Sequence, residues 1–394
     1  MHPVLIFGAG KTGRGFAAHI CHRSSHPFVL IDKDRRLIEQ LRDWETFDVR
    51  VLSAPERVDS LRPERCYHIE ENWSADFNST TLCFTAVFGN HLDELARSLA
   101  APLATRFGSS GSGAPLNIIT CENLTGAARV LREAVFDHLD CDRSTREAIE
   151  ANVGFSEAIV FKTCLGPSDE SDLLLVRAEP VFDLPCDADT LREPCPSLGD
   201  LKPTRNFAHQ LTRKIYTYNS INAVITYLGA ERGASMLFEA ARDEKVMRWA
   251  HTAAAEASQA LVREYGFDRG EQDQWVARAL AKFVDERLPD PLARNGADPR
   301  RKLGRDDRLI GPARLALHHS IEPRGLAEAI MAAVHFADDR EPPLIDQFRS
   351  HTAGLSSDEA FEAILKEVCG LDHDEPLYEF LISHWRQSHR ADHV

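Results

Sequence analysis

The chain has 394 residues and a net charge of −15 at pH 7. Its length favours two domains, and its acidity disfavours nonspecific binding to nucleic acid, which needs a basic surface. No apolar run approaches the roughly 18 residues that cross a membrane, so we expect no membrane partner. Nine scattered cysteines without a C-x-x-C pair predict a reduced, cytoplasmic protein with no structural disulfide and no metal site.

The first predicted element is a buried strand, Val4 to Phe7, which is followed at once by glycines with G-x-G-x-x-G spacing. A strand, a glycine turn and a helix in this order are what a dinucleotide site needs. Gly8 permits the tight turn, Gly10 lets the backbone approach a pyrophosphate, and Gly13 lets the helix pack close to the strand. The helix N-terminus offers N–H groups to the phosphates. The cofactor-binding residues predicted here are Phe7, Gly8, Gly10, Lys11, Thr12, Gly13 and Arg14.

A second predicted strand, Phe28 to Asp32, ends in an acid 19 residues after Gly13. A carboxylate at this place accepts hydrogen bonds from the ribose hydroxyls and repels a 2′-phosphate, which favours NAD over NADP. The neighbouring cations Lys33 and Arg35 weaken that preference. The alternative interpretation is a glycine turn in an ordinary α/β protein, with the acid on its surface.

Two more strands are expected in the same sheet. The first, Thr81 to Val87, ends at the carboxyl edge of the sheet, where ligands bind in this fold. The predicted cofactor contacts there are Thr85, Ala86 and Val87. The second, Leu116 to Cys121, is followed by Asn123.

Strand-like pieces such as Leu173 to Val176 are expected to extend this sheet at its edge. From about residue 206 the pattern becomes almost entirely helical, with a long alanine-rich helix from Asp243 to Tyr265 that Gly266 ends. We therefore expect an α/β fold. Its parts would be a doubly wound, NAD-binding Rossmann sheet at residues 1–200 and a mostly helical substrate domain at residues 201–394.

The segment that begins at Lys214 carries a lysine and two carboxamides, Asn219 and Asn222, among apolar and aromatic residues. On an ideal α-helix these three residues spread over an arc of about 140°. That arc is wide for a single site, so the segment must line a cleft or depart from ideal geometry. An ordinary amphipathic helix is the alternative interpretation.

In the order and spacing of its motifs, the chain resembles the polyol-specific long-chain dehydrogenase/reductase family. The motifs extend through most of the chain and are far more specific together than the glycine motif alone. They are Phe7–Phe16, Pro115–Asn123, Val153–Phe155, Lys214–Gly229, Asp243–Lys245, Tyr265–Asp268, Arg301–Leu303, Asp307–Leu309 and His335–Phe336. The resemblance implies an N-terminal Rossmann domain, a mostly helical C-terminal domain, and a metal-independent reaction with NAD in the cleft between them.

The family signature is K-x4-N-x2-H. Lys214 and Asn219 match it, whereas Asn222 stands where the family has histidine. The resemblance implies that Lys214 is the general base, which removes a hydroxyl proton as hydride leaves the same carbon. Because a free lysine amine has a pKa of about 10.4, burial and nearby positive charge must lower it. Asn219 and Asn123 would donate hydrogen bonds to the reacting oxygen, and Asn222 would offer one more donor.

The loop from Asp290 to Leu303 resembles the substrate loop of the family. Its basic residues Arg294, Arg301 and Lys302 are expected to bind the phosphate or carboxylate of an anionic sugar. At one position of this loop the phosphate-using relatives carry an arginine, whereas this chain has Ala297. A solvated basic loop on an acidic protein is the alternative interpretation.

Three functions follow from these observations. The first is an NAD-dependent oxidoreductase that interconverts a sugar-alcohol phosphate and a ketose phosphate, with mannitol 1-phosphate and fructose 6-phosphate as the leading pair. The second, motivated by Ala297 and Asn222, is a related enzyme for a hexuronate or a neutral polyol. The third, supported by Asn222, is an NAD-binding protein that has lost catalysis. We expect a monomer or a dimer.

Overall fold

The computed structural model describes residues 1–109, 111, 113–166, 173–337, 341–351 and 354–391. The chain divides into two compact units: unit 1 is Met1–Phe207, and unit 2 is Ala208–Val394. Of the helices within those described ranges, none is both long and apolar enough to cross a membrane.

A parallel sheet forms the centre of unit 1. The strands in the described part of unit 1 are β1 (Val4–Phe7), β2 (Phe28–Asp32), β3 (Phe47–Val51), β4 (Arg57–Leu61), β5 (Arg65–His68), β6 (Leu82–Thr85), β7 (Leu116–Thr120), β8 (Val153–Glu157), β9 (Cys164–Leu165), β10 (Val176–Ala178), β11 (Leu184–Asp187) and β12 (Leu201–Thr204). Six of them form one sheet in the order β5-β2-β1-β6-β7-β8, with every neighbouring pair parallel. Numbered along the chain within this sheet, that order is 3-2-1-4-5-6, the doubly wound Rossmann arrangement. The predicted fold class is therefore confirmed.

Two smaller sheets accompany the central one. The first has the order β4-β3-β10-β9, and the second pairs β11 with β12 in parallel. The expectation that Leu173 to Val176 extends the central sheet is wrong. Its last residue, Val176, begins β10, which pairs with β3 and β9 instead. The apolar pattern predicted a strand there, but a pattern within one segment does not indicate which strands that segment pairs with.

Helices cover both faces of the central sheet. They are α1 (His19–Arg23), α2 (Arg35–Trp44), α3 (Ser74–Ser79), α4 (Leu92–Phe107), α5 (Ala127–His138) and α6 (Arg143–Asn152), with a π-helical segment at Gly13–Ala18 before α1. Along β1, Val4 and Ile6 join the apolar cluster that contains residues of α1 and α2, while Leu5 and Phe7 join the cluster that contains residues of α3 to α6. This alternation buries the strand on both faces, as parallel sheets require.

Unit 2 is mostly helical in its described residues. Its helices are α7 (Phe207–Lys214, starting at the last residue of unit 1), α8 (Ser220–Glu231), α9 (Leu237–Arg242), α10 (Glu244–Tyr265), α11 (Arg269–Phe283), α12 (Leu292–Gly296), α13 (Pro299–Lys302), α14 (Ile310–His318), α15 (Arg324–His335), α16 (Leu344–His351), α17 (Ser357–Glu367) and α18 (Pro376–Ala391), with a π-helical segment at Ile215–Asn219 between α7 and α8. The long helix α10 ends as expected, with Gly266 at φ +68°. Its N-terminus is capped by Asp243, whose carboxylate accepts hydrogen bonds from the backbone N–H groups of Lys245 and Val246.

Candidate active site

The glycine turn after β1 is tightly enclosed by backbone at two of its three glycines. Gly8 has φ +97°, and a Cβ there would lie 2.4 Å from the carbonyl oxygen of Ala86. A Cβ on Gly13 would lie 1.8 Å from the carbonyl oxygen of Gly8, so the helix packs on the turn itself. By contrast, no atom lies within 4 Å of a Cβ on Gly10. The open side of the turn is therefore at Gly10, where the sequence predicts the approach of a pyrophosphate.

The other residues predicted in this motif take different positions. Lys11 is exposed and Thr12 is half-buried. Arg14 is buried, and its Nε donates a hydrogen bond of 2.7 Å to the carbonyl oxygen of Ala9. The guanidinium group of Arg14 thus stabilises the backbone of the turn.

Asp32 lies at the carboxyl end of β2 and contacts the glycine turn directly. Its Oδ2 accepts a hydrogen bond of 2.5 Å from the backbone N–H of Ala9, and its Oδ1 accepts one of 2.9 Å from the N–H of Asp34. The two neighbouring cations are paired with acids, because Lys33 Nζ lies 2.8 Å from a carboxylate oxygen of Glu94 and Arg35 lies 2.5 Å from Glu70. The positive charge next to Asp32 is thereby partly balanced.

The end of β6 is held by a carboxylate that the sequence analysis did not assign. Glu122, which is 5% exposed, accepts hydrogen bonds from the hydroxyl of Thr85 at 2.8 Å and from the backbone N–H of Val87 at 3.0 Å. Burial raises the pKa of Glu122. The signal that could have found it is an acid at the end of an apolar strand. Ala86, between its two partners, donates its N–H to the carbonyl oxygen of Phe7 at 2.8 Å, so this strand end meets the glycine turn.

Carboxylates that accept backbone N–H groups recur along this edge of the sheet. Besides Asp32 and Glu122, Glu157 at the end of β8 accepts hydrogen bonds of 3.0 and 3.1 Å from the N–H of Gly126, the residue before α5. Asn123 lies exposed in the loop between β7 and α5. The loops that follow β1, β2, β6 and β7 therefore each donate a backbone N–H to a buried or half-buried acid.

In unit 2, the segment with the family signature departs from α-helical geometry. Lys214 is the last residue of α7, and Ile215–Asn219 forms the π-helical segment. A π turn closes from i to i+5, so it takes up one extra residue. Viewed along the helix axis, Lys214 and Asn219 are therefore about 40° apart, as an i,i+4 pair is in an α-helix. Without the π turn they would be about 140° apart. Asn222, three residues further on, then lies about 20° on the other side of Lys214, and the three side chains leave the helix within an arc of about 60°.

These three residues also differ from a solvated helix face in their exposure. Lys214 is 8% exposed, whereas Asn219 and Asn222 are half-buried. The Nδ2 of Asn222 donates a hydrogen bond of 3.1 Å to Oδ1 of Asn295, in α12. The signature segment is thereby connected to the loop that the sequence predicts to bind an anion.

The three basic residues predicted in that loop have unlike surroundings. Lys302 is 4% exposed, and its amine donates hydrogen bonds to the backbone carbonyls of Asn295 and Ala297. Burial, together with the charges of Arg308 and Arg301, lowers the pKa of Lys302 to about 7. Two of its three N–H donors are used inside the loop, so the picture of a freely solvated basic loop does not apply to this residue.

The two arginines are exposed and face acidic neighbours. The Nε of Arg301 donates to Asp298 at 3.0 Å, and its Nη1 lies 3.7 Å from Asp307. Arg294 lies 3.4 Å from Asp290. Exposed ion pairs of this kind contribute little stability, so both guanidinium groups can exchange these partners for a bound anion at small cost.

One group of residues in the described part of the chain could hold a metal ion. Glu264, His318 and His319 have ligand atoms within 4.8 Å of one another, and the Nε2 of His319 lies 2.9 Å from a carboxylate oxygen of Glu264. The group lies at the C-terminal ends of α10 and α14 and includes none of the predicted site residues.

Comparison with known proteins agrees with this architecture. Residues 2–197 match the mannitol dehydrogenase Rossmann domain, and residues 207–385 match the mannitol dehydrogenase C-terminal domain. The chain is 30% identical to mannitol-1-phosphate 5-dehydrogenase of Bacillus velezensis and 28% identical to that of Bacillus subtilis, each over 97% of this chain and 99% of the relative. The structure of Pseudomonas fluorescens mannitol 2-dehydrogenase with NAD and D-mannitol has the same fold, with a TM-score of 0.73 at 14% identity over 98% of this chain and 90% of that one. The chain belongs to the mannitol dehydrogenase family.

Proposed function

We propose that the protein is an NAD-dependent oxidoreductase that interconverts a sugar-alcohol phosphate and a ketose phosphate, with mannitol 1-phosphate and fructose 6-phosphate as the leading pair. The observation that carries the proposal is the π turn that brings Lys214, Asn219 and Asn222 onto one face. The relatives that share nearly the full length of the chain are named for the oxidation of mannitol 1-phosphate. Family membership and the local geometry of the signature thus support the same reaction class.

Unit 1 fits a dinucleotide cofactor. The turn is open at Gly10, Asp32 lies at the end of the second strand, and Thr85 to Val87 adjoin the turn. Gly8, Gly10 and the first turn of the following helix would hold the pyrophosphate, and Asp32 would accept the ribose hydroxyls. NAD, when bound, supplies the nicotinamide ring that exchanges a hydride with the carbon under reaction.

The residues of this chain would carry the proton and orient the substrate. In the direction of oxidation, the amine of Lys214 takes the proton of the substrate hydroxyl as the carbonyl forms. In the other direction, the ammonium group returns that proton to the oxygen. Asn219 and Asn123 would donate hydrogen bonds to the same oxygen and stabilise its negative charge. Losing one such donor costs about 10²- to 10³-fold in rate in well-studied hydrolases. The proposal assigns the proton transfer to an amine and needs no metal ion.

The substrate anion would be bound by Arg294 and Arg301, while Lys302 shapes the loop and adds charge. A second candidate function, a hexuronate or neutral-polyol dehydrogenase, is favoured by one observation. Arg301 already contacts Asp298 and Asp307, and the amine of Lys302 is directed to backbone carbonyls. In this second candidate these basic residues hold the loop together and do not bind a phosphate.

A substrate panel separates the two candidates. The protein is incubated with NADH and, in turn, with ketose phosphates, free ketoses and keto-uronates, and the loss of NADH absorbance is followed. We expect fructose 6-phosphate to have the highest kcat/KM, at least about tenfold above fructose, because an arginine fork discriminates strongly for phosphate. A higher kcat/KM for a uronate or a free ketose would support the second candidate instead.

The position of Asn222 tests the third possibility, a binding protein without catalysis. Asn222→His restores the residue of the family signature. NAD binding without turnover on the whole panel, in both the original chain and Asn222→His, would contradict the proposed reaction. Turnover only after the substitution would show that asparagine at this position is what limits the enzyme.

A further inference from the structure

A buried glutamine, Gln272 in α11, makes three hydrogen bonds around the signature segment. Its Oε1 accepts from the Nε of Arg213 at 2.8 Å, and its Nε2 donates to the hydroxyl oxygens of Thr217 at 2.9 Å and Ser258 at 3.0 Å. Gln272 is fully buried, so these partners replace water entirely. Two of them lie on either side of Lys214: Arg213 directly precedes it, and Thr217 is the third residue of the π segment.

The contact on the N-terminal side of Lys214 is itself built at a cost. Arg213 is 3% exposed, its guanidinium lies 4.6 Å from the ring centroid of Phe267 and 4.4 Å from that of Trp275, and burial lowers its pKa. Glu271 lies 3.6 Å away, and Nη2 of Arg213 has no hydrogen-bond partner among the described residues. Burying a cation that is incompletely paired costs desolvation free energy. The packing and hydrogen bonds around Arg213 must therefore offset that cost to keep its guanidinium group buried.

The contact on the C-terminal side reaches into the π segment. Thr217 is 1% exposed, and among the residues of the segment it is the one that is fully buried. A π turn is rare in proteins and persists where its surroundings stabilise it. The third contact connects the same amide to Ser258 in α10, a helix outside the signature segment.

We propose that Gln272 is a positioning residue, which sets the angle between Lys214 and the two asparagines by holding the π turn at Ile215–Asn219. This inference rests on the proposed function, since it concerns the same side chains. If the extra residue of the π turn moved along the helix, Lys214 and Asn219 would separate again to about 140°. The rate of proton transfer would then fall more than the affinity for either NAD or the substrate.

The two acceptors of the same amide nitrogen allow a matched test. Thr217→Val keeps the shape of the side chain and removes the acceptor in the π segment, whereas Ser258→Ala removes the acceptor outside it. We expect Thr217→Val to lower kcat at least about tenfold, with KM for both substrates within about twofold, because the lost interaction orients the base. Ser258→Ala should keep kcat within about twofold. Equal losses of kcat in the two variants, or an unchanged kcat in Thr217→Val, would overturn the proposal.

A conservative variant supplies a readout that a merely structural role would not change. In Gln272→Glu, carboxylate oxygens accept from Arg213 and from both hydroxyls, so the network is kept and kcat should be retained within about threefold. A kcat that falls as far in Gln272→Glu as in Thr217→Val would contradict the proposal.

Crystal structures of the Thr217 and Ser258 variants test the inference independently of any substrate. A π segment that has moved or disappeared in Thr217→Val, and is retained in Ser258→Ala, would support the positioning role. A π segment still at Ile215–Asn219 in Thr217→Val would overturn it. This result can be read even if the original chain shows no turnover on any sugar, in which case the proposed function fails and the structural inference is still decided.

Discussion

The described residues contain a π-helical segment in each unit, and the two segments differ in how deeply their residues are buried. In unit 1, all six residues of Gly13–Ala18 are buried, and the segment begins at a glycine whose Cβ position is filled by backbone. In unit 2, Ile215–Asn219 has one fully buried residue and is bordered by Lys214 and Asn222. The first segment therefore exposes no side chain, whereas the second is bordered by the polar side chains of Lys214 and Asn222.

The difference follows from what each proposed ligand needs. A pyrophosphate is bound by N–H groups at a helix terminus, which requires side chains to be absent so that the backbone can come close. Proton transfer from a hydroxyl requires an amine and hydrogen-bond donors at set angles to one another. Three predictions test this contrast between a backbone site and a side-chain site.

The largest effect is expected in unit 2. Lys214→Ala should lower kcat by about 10²- to 10⁴-fold, because it removes the amine that we propose takes the proton. The affinity for NAD, measured by fluorescence titration, should remain within about twofold. Lys366→Ala, the same change at an exposed lysine of α17, serves as the control and should leave both quantities unchanged. Retained turnover in Lys214→Ala would remove this residue as the base.

A smaller effect, of the opposite kind, is expected in unit 1. Gly10→Ala should weaken NAD binding at least about tenfold, because a methyl group would occupy the space that the pyrophosphate needs. The same variant should keep its thermal midpoint without ligand, since no protein atom lies within 4 Å of the new Cβ. In Gly13→Ala, by contrast, the new Cβ would lie 1.8 Å from a carbonyl oxygen, so its thermal midpoint should fall. Unchanged NAD affinity in Gly10→Ala would argue against a backbone site.

The smallest effect concerns charge in the loop of unit 2. Because the pKa of Lys302 is lowered to about 7, its amine is mostly neutral at pH 8 and gains a charge as the pH falls to 6. The KM for a sugar phosphate should therefore improve by about twofold to fivefold more in the original chain than in Lys302→Met over that range.

The control for this experiment is Lys302→Arg, which stays charged at both pH values. The KM of Lys302→Arg should be lower than that of Lys302→Met at both pH values. It should change with pH no more than the KM of Lys302→Met does. Identical pH profiles for the original chain and both variants would show that the charge of Lys302 does not reach the substrate.

Much of unit 1 was predictable because its signals are local. The strand at Val4–Phe7 is a short apolar run next to glycines, and its neighbour ends in Asp32, so residue type and spacing were sufficient. The buried Glu122 was missed, although an acid at the end of an apolar strand was visible. Its role depends on Thr85, the last residue of β6, and on Val87 in the loop that follows β6. Partners that lie 35 or more residues away do not appear in a local pattern.

In unit 2 the sequence left open whether the signature segment lines a cleft, departs from ideal geometry or is an ordinary amphipathic helix, and the structure shows a departure, the π-helical segment Ile215–Asn219. The position of the π turn coincides with hydrogen bonds from Gln272, which lies 55 residues after Thr217 in the chain. The exposure of Lys302 was likewise not predictable. Its amine turns inward to carbonyls that only the folded loop brings together.

The fold class, the place of the glycine turn and the set of residues that carry the family signature could be predicted from the sequence, because these depend on side-chain type and short-range spacing. The angles among those side chains, the buried supports Glu122 and Gln272, and the enclosed position of Lys302 became known only from the folded chain. Each of these depends on hydrogen bonds between parts of the chain that are distant in sequence or meet only on folding, and on the burial that makes such bonds necessary.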